Sequence, residues 1–390
     1  MYRNLIFSSL ILLSSCLYSS EETQSEILCG ADRTEQYFDQ LRAKKFALVS
    51  NQSSLISNVH LVDSLISSGI RPMKIFTPEH GFRGNADAGE LIDDSIDPFT
   101  SIPIISLYGS NKQPTPEEMN ALDLIVFDLQ DVGTRFYTYI STLHYVMEAC
   151  AENNVELMIL DRPNPNGDYI DGPVLEAEFS SFVGMHPIPV LHGMTIGEYA
   201  KMIIGEKWLD EKKEFKFSVI SCKNYSHSDK YVPPVKPSPN LPNYQAIRLY
   251  PSLCFFEGTK ISIGRGTDFP FQVFGHPQFD TTLFSFIPDS RPGATFNLKY
   301  KGIPCGGVDL REEKVDPGNI SILNLNWIID AYSRCKQKEN FFTNYFELLA
   351  GTDKLQKQIE SGLNEKEIRE SWKAGLDEFK LIREKYLIYR

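Results

Sequence analysis

One short run places an acid, an imidazole and a guanidinium side by side: Phe76-Thr77-Pro78-Glu79-His80-Gly81-Phe82-Arg83-Gly84. It follows an apolar stretch, Met73 to Phe76, that reads as a strand, and its glycines permit a tight turn. A carboxyl half-withdrawn from water beside apolar groups keeps its proton nearer neutral pH, so Glu79 is the preferred proton donor, flanked by His80 and Arg83. A structural ion pair between Glu79 and Arg83 or Arg135 is the plainer reading.

A second run, Asp128-Leu129-Gln130-Asp131-Val132-Gly133-Thr134-Arg135-Phe136-Tyr137-Thr138-Tyr139, is denser in polar function than a connection needs. Asp128, Gln130 and Asp131 suit hydroxyl groups, Arg135 suits a carboxylate held by two hydrogen bonds, and Tyr137 and Tyr139 offer stacking faces. The alternative is a helix-capping loop with core aromatics. Asn164, in Asp161-Arg162-Pro163-Asn164-Pro165-Asn166-Gly167, either lines a crevice or forms a turn. Glu176 adds a carboxylate and His192 an imidazole, which is assigned a lining role only. The loop from Glu257 to Asp268 sets Arg265 between two glycines, suited to an anionic substituent or to an interdomain salt bridge. It fits neither standard phosphate-binding pattern, so a nucleotide cofactor is not expected, and no metal-ligand spacing or serine-hydrolase elbow occurs.

Positioning these groups requires an α/β scaffold. Short apolar runs (Phe46 to Val49, Met73 to Phe76, Ile104 to Leu107, Leu124 to Phe127, Leu157 to Leu160) alternate with helical patterns, among them Tyr139 to Asn153 and Thr195 to Ile204. This is the rhythm of parallel βαβ units. Four of the strands end in polar clusters, at Ser50-Asn51-Gln52, Thr77 to His80, Asp128 to Asp131 and Asp161 to Asn164, and ligands bind at the carboxyl ends of such strands. Phe215 to Ile220 reads as a further strand. The Pro-rich passage Pro233 to Pro242 is not a regular element. Beyond it, Thr295 to Tyr300 and Gly307 to Leu310 read as strands, and Ile320 to Lys336 and Lys354 to Tyr389 as helices. The expected organisation is a Rossmann-like, mostly parallel N-terminal domain at 30–248 and a smaller α+β C-terminal domain at 249–390 that closes the cleft.

The 390 residues carry 51 acidic against 39 basic side chains, a net charge of -12 that argues against a nucleic-acid partner. Residues 1–20 read as an export signal and tether: Arg3 precedes an apolar run from Leu5 to Leu13, and Leu13-Ser14-Ser15-Cys16 resembles the lipobox at which bacterial lipoproteins are acylated on cysteine. Ordinary secretory cleavage is the alternative. Cys16 is thus the expected lipidation site, with the body held at the cell envelope by lipid alone. The other six cysteines are dispersed, Cys150 and Cys254 in apolar surroundings. An exported location permits one or two disulfides, which spacing cannot pair.

Taken together, FTPEHGFRG from Phe76, DLQDVGTRFYTY from Asp128, LDRPNP from Leu160, GPVLE from Gly172, PIPVLHGMTIGE from Pro187, PSPNLP from Pro237 and LYPSLCFFEGTKISIGRGTDFPF from Leu249 resemble the NamZ family of exo-acting β-N-acetylmuramidases, formerly a domain of unknown function, DUF1343. The closing GTDKL, SW and KYLIY segments resemble it too. The resemblance implies removal of terminal N-acetylmuramic acid from the non-reducing end of peptidoglycan fragments in a cleft between the two domains, with Glu79 as acid and no cofactor. Asn240 of PSPNLP and Glu257 of FFEG join the implied substrate-binding set. Asp128, Asp131 and Glu176 are candidates for a second carboxylate, with a tyrosine nucleophile such as Tyr137 or the substrate's own acetamido group as alternatives. Arg135 or Arg265 would take the lactyl carboxylate of the sugar. The chain departs from the family pattern at Leu241, where Met is expected, and at Ile263, where an acid is expected, which leaves the partner of Arg265 open. A silent muropeptide-binding lipoprotein is the rival reading. An ester or amide hydrolase is weaker, since no Ser or Cys sits in a nucleophile setting.

Overall fold

The computed structural model describes residues 26–79, 81–83, 94–209, 215–291, 297–315 and 323–390. Its N-terminal part runs α1 (Phe38–Arg42), β1 (Phe46–Ser50), a hairpin of β2 (Leu55–Ile56) and β3 (Val59–His60), α2 (Leu61–Ser67), β4 (Lys74–Thr77), β5 (Ser95–Ile96), β6 (Pro103–Ser106), α3 (Pro116–Met119), β7 (Leu124–Asp128), α4 (Tyr139–Asn153), β8 (Glu156–Leu160), α5 (Ile196–Gly205) and β9 (Phe217–Ile220). The main sheet has the order β5-β6-β4-β1-β7-β8-β9. Six of these strands are parallel, and β5 adds antiparallel to the β6 edge. Among the parallel strands the chain steps outward from β1 to β4 and β6, then returns to the other side of β1 for β7, β8 and β9. This is the doubly wound order, and its switch point lies between the carboxyl ends of β1 and β7.

The strand sequences dictate this burial. Every residue of β1 and β7 is buried, as continuous apolar runs must be when both faces are covered. Ala47, Val49, Ile125 and Phe127 enter one core, while Phe46, Leu48, Leu124 and Val126 enter the other. Helix α4 covers the predicted span and stops at Asn154, whose left-handed backbone (φ 53°) caps it. Thr195 and Glu198 form the capping box that starts α5.

The C-terminal part comprises α6 (Tyr244–Leu253), a three-stranded antiparallel sheet of β10 (Val273–His276), β11 (Ser285–Phe286) and β12 (Cys305–Asp309) in the order β10-β12-β11, then α7 (Asn326–Arg334), α8 (Tyr345–Ala350), α9 (Lys354–Glu360) and α10 (Glu365–Arg383). Two expectations differ here. Residues 297–300 form a bend and turn rather than a strand, and the helix expected from Ile320 begins only at Asn326. The larger core does not stop at the N-terminal part: Phe255, Phe274, Phe346 and Trp372 pack into the same apolar cluster as Val49 and Phe127. Among the described residues, no helix is long and apolar enough to cross a membrane.

Candidate active site

The register of β4 and β6 explains the position of the acid. Thr77 and Ser106 are paired neighbours at the strand ends, so Glu79 and Tyr108, each two residues further on, emerge side by side at the carboxyl edge of the sheet. The Tyr108 hydroxyl hydrogen-bonds the half-buried Glu79, and burial with that charge nearby pushes the phenol up to about 12. Both line a cavity of about 200 Å³. Its floor is the Phe136–Tyr139 segment at the start of α4. Asn51, just past β1, donates to the Tyr139 hydroxyl at 2.7 Å, and the Tyr137 hydroxyl donates to the Pro237 carbonyl at 2.9 Å. The Tyr137 bond fixes the Pro-rich passage as a side wall, from which Ser238, Asn240 and Leu241 face the cavity.

The opposite wall comes from the C-terminal part, through Tyr250, Glu257, Arg265, Phe271 and Tyr345. Arg265 Nε donates to Glu257 at 2.7 Å, which supplies the partner that Ile263 left open, and its guanidinium lies 5.0 Å from the Phe271 ring centre. Arg265 Nη1 is buried with no hydrogen-bond partner among the described residues. Arg265 lines the cavity with a side chain that keeps about a fifth of its exposure, so this guanidinium is the cavity's candidate for an incoming anion. Lys299 holds this wall from behind: its ammonium donates to the carbonyls of Phe256, Glu257, Thr259 and Ile261 at 2.7–3.2 Å, and burial lowers it to about 8. Burial also pushes the phenols of Tyr137, Tyr139, Tyr250 and Tyr345 up, so these groups stay protonated at neutral pH and serve as donors.

Of the sequence-derived site residues, Glu79, Tyr137, Tyr139, Asn240, Glu257 and Arg265 meet in this cavity. Others do not, each for a visible reason. Asp128 is fully buried in a two-pronged ion pair with Arg162 (2.6 and 2.9 Å) that joins the ends of β7 and β8, so it is not the second catalytic carboxylate. Asp131 turns beneath the floor, accepts from the Gly133 amide at 2.6 Å and is raised to about 7 by burial. Gln130 donates to the carbonyls of Asp131 and Pro163. Asn164 donates to Met194 O and lies against Gly133, whose positive φ of 74° and close contact with that amide leave no room for a Cβ. His192 is wholly buried, 3.9 Å from Asp131, and held neutral by burial. Arg83 pairs with Asp63 and Asp97 instead of facing the cavity. Glu176 binds Lys354 and Thr352 at the surface. His80 lies outside the described residues.

Arg135 is the largest correction. Its guanidinium is fully buried and donates to four backbone carbonyls, those of Pro173, Ile188, Leu349 and Ala350, at 2.7–3.0 Å. Leu349 and Ala350 end α8, where carbonyls lack intrahelical partners, so the cation caps that helix and cannot receive a ligand. Gly351, at φ 71°, is required because a Cβ there would sit 2.7 Å from Arg135 Nη2. Sequence reasoning missed Tyr108, Tyr250 and Tyr345. Tyr108 had a legible signal, since it follows a strand as Glu79 does; Tyr345 opens a helix with no local mark of function.

Comparison with known proteins matches the chain along nearly its whole length. Family models of the N-terminal and C-terminal parts of exo-β-N-acetylmuramidase NamZ match residues 46–245 and 248–389. The peptidoglycan β-N-acetylmuramidase NamZ of Bacillus subtilis (strain 168) is 37% identical over 408 aligned residues, covering 99% of this chain and 97% of that protein. Two crystal structures of DUF1343 family proteins from Bacteroides fragilis NCTC 9343 share the fold. One is 44% identical with a TM-score of 0.85, covering 94% of this chain and 99% of the other; the second is 27% identical with a TM-score of 0.78, covering 93% and 99%. With both halves matched in order and the cavity lying between them, the chain belongs to the NamZ family of exo-β-N-acetylmuramidases.

Proposed function

We propose that the chain releases terminal N-acetylmuramic acid from the non-reducing end of peptidoglycan fragments in the cavity between its two parts, with Glu79 protonating the leaving oxygen. The glycosidase activity follows from family membership and from the similarity to the Bacillus subtilis enzyme. The observation that carries the site is the meeting of Glu79, a ring of protonated phenols and the Arg265 guanidinium in a single small cavity. A volume of about 200 Å³ suits one sugar residue rather than a threaded chain, as an exo-acting enzyme needs. Tyr108 and Tyr345 present faces and hydroxyls to the ring. Incubation with a fragment ending in N-acetylmuramic acid should yield the free sugar; no release would overturn the reading.

Arg265 is the group that supports recognition of the lactyl carboxylate, now that Arg135 is committed elsewhere. Its guanidinium can add a charge-assisted bond from the cavity side while Nε keeps Glu257 in place. Arg265→Ala is expected to raise KM for N-acetylmuramides about 10–100-fold, the worth of roughly 1.5–3 kcal/mol for a bond to a charged group. Residual turnover of a substrate lacking the lactyl group should be indifferent to the change. An unaltered KM for the N-acetylmuramide would remove Arg265 from this role.

We further propose export and anchoring through Cys16, which lies outside the described residues. The short apolar run followed by Leu13-Ser14-Ser15-Cys16 supports this. Incorporation of labelled fatty acid into the parent chain, and its loss in Cys16→Ser, is the expected result; equal labelling of both would refute it.

A further inference from the structure

Two of the buried cysteines, both free thiols in this structure, flank the same backbone bridge. Leu28 and Lys223 form an antiparallel bridge in which each amide donates to the other's carbonyl, at 3.0 and 2.8 Å. The bridge is an isolated one, since the Gly30 amide turns to Asp161 O, and the residues that flank it on the two segments are Cys29 and Cys222. Beside a hydrogen-bonded antiparallel pair, Cα atoms approach to about 4.5 Å where the pairing continues, and a disulfide spans about 4.4–6.8 Å, so little backbone adjustment is needed for these two flanking residues to be joined. Each side chain is only 7% exposed. The Cys29 thiol lies 3.6 Å from the Tyr231 hydroxyl, and the Cys222 thiol donates to Asp161 O at 3.3 Å. The remaining described cysteines, in α4, after α6, in β12 and after α7, have no cysteine across from them on a paired strand.

We propose that Cys29 and Cys222 form a disulfide when the chain folds in an oxidising compartment, fastening the segment next to the tether to the β9 edge of the sheet. Both thiols give up their protons, one S–S bond forms, and the two electrons reduce the disulfide of a dithiol oxidant of that compartment to a pair of thiols. The bond closes before the site is sealed, because burial raises both thiols and so suppresses the reactive thiolates in the finished fold. The setting rests on the export reading above; the pairing itself does not.

The test uses the full-length chain in two arms. In the first, protein produced with its own signal is recovered from the membrane fraction, alkylated while denatured, and mapped without reduction. Cys29 and Cys222 peptides should be joined, and reduction should lower the melting temperature by about 5 °C in the parent but not in the Cys29→Ser/Cys222→Ser double variant. In the second arm, denatured and reduced chain is refolded across a glutathione redox series, and the same link should appear in a ratio that rises with oxidation. A chain that stays in the cytosol yet forms the link on refolding would refute export and leave the pairing standing. Membrane-recovered chain with both thiols alkylated, or joined to other cysteines, would overturn the pairing.

Discussion

Glu79→Gln lowers release of N-acetylmuramic acid by about 10²–10⁴-fold when the departing group is a sugar, while leaving the melting temperature close to that of the parent. The glutamine is nearly isosteric and can still bond the Tyr108 hydroxyl through its carbonyl, so the cavity keeps its shape while losing the transferable proton. The diagnostic comparison is with a nitrophenyl N-acetylmuramide, whose leaving group is acidic enough to depart with little help. If Glu79 is the acid, the loss on this substrate should be much smaller than on the sugar–sugar bond. Equal losses would point to a different role for Glu79, and full activity on both would exclude it from the chemistry.

The largest effect on stability is expected at Arg135. Replacing it with Met retains much of the volume but removes the four bonds to Pro173, Ile188, Leu349 and Ala350. The carbonyls ending α8 then have no donor in a dry interior, where each unsatisfied group costs about 1–3 kcal/mol. A destabilisation of about 3–5 kcal/mol follows, measurable by denaturant unfolding. Arg135→Lys should recover part of it, since an ammonium can reach some of the carbonyls but not as a planar fork. A change below 1 kcal/mol in the Met variant would show that this guanidinium contributes little to joining the two parts.

The contrast between Glu79 and Arg135 shows what was readable in the residues. Strand and helix positions followed from periodicity, because β1, β7 and α4 bury what their patterns dictate, and the strand-end rule put Glu79 at the right edge. The same rule brought Asp128, Gln130 and Asn164 to that edge too. It could not show that they spend their polar groups on Arg162 and on backbone carbonyls. Polar density marks both a binding surface and the hydrogen-bond scaffold under it, and the two differ only in whether a partner from a distant part of the chain is present. Arg162 for Asp128, and the end of α8 for Arg135, are such partners. Arg265 was separable from Arg135 only through geometry: one lines the cavity, and the other is fully enclosed with both Nη groups on backbone carbonyls.

The shared apolar cluster and the Arg135 capping of α8 have a consequence for substrate capture. A cleft whose walls belong to one core does not work as a hinge, so the ordering of the two walls is completed during folding rather than at each encounter. Binding then favours a rigid terminal sugar presented end-on. Preorganisation of this kind trades tolerance of bulky or branched ends for speed, since a sugar that does not fit cannot induce the space it lacks.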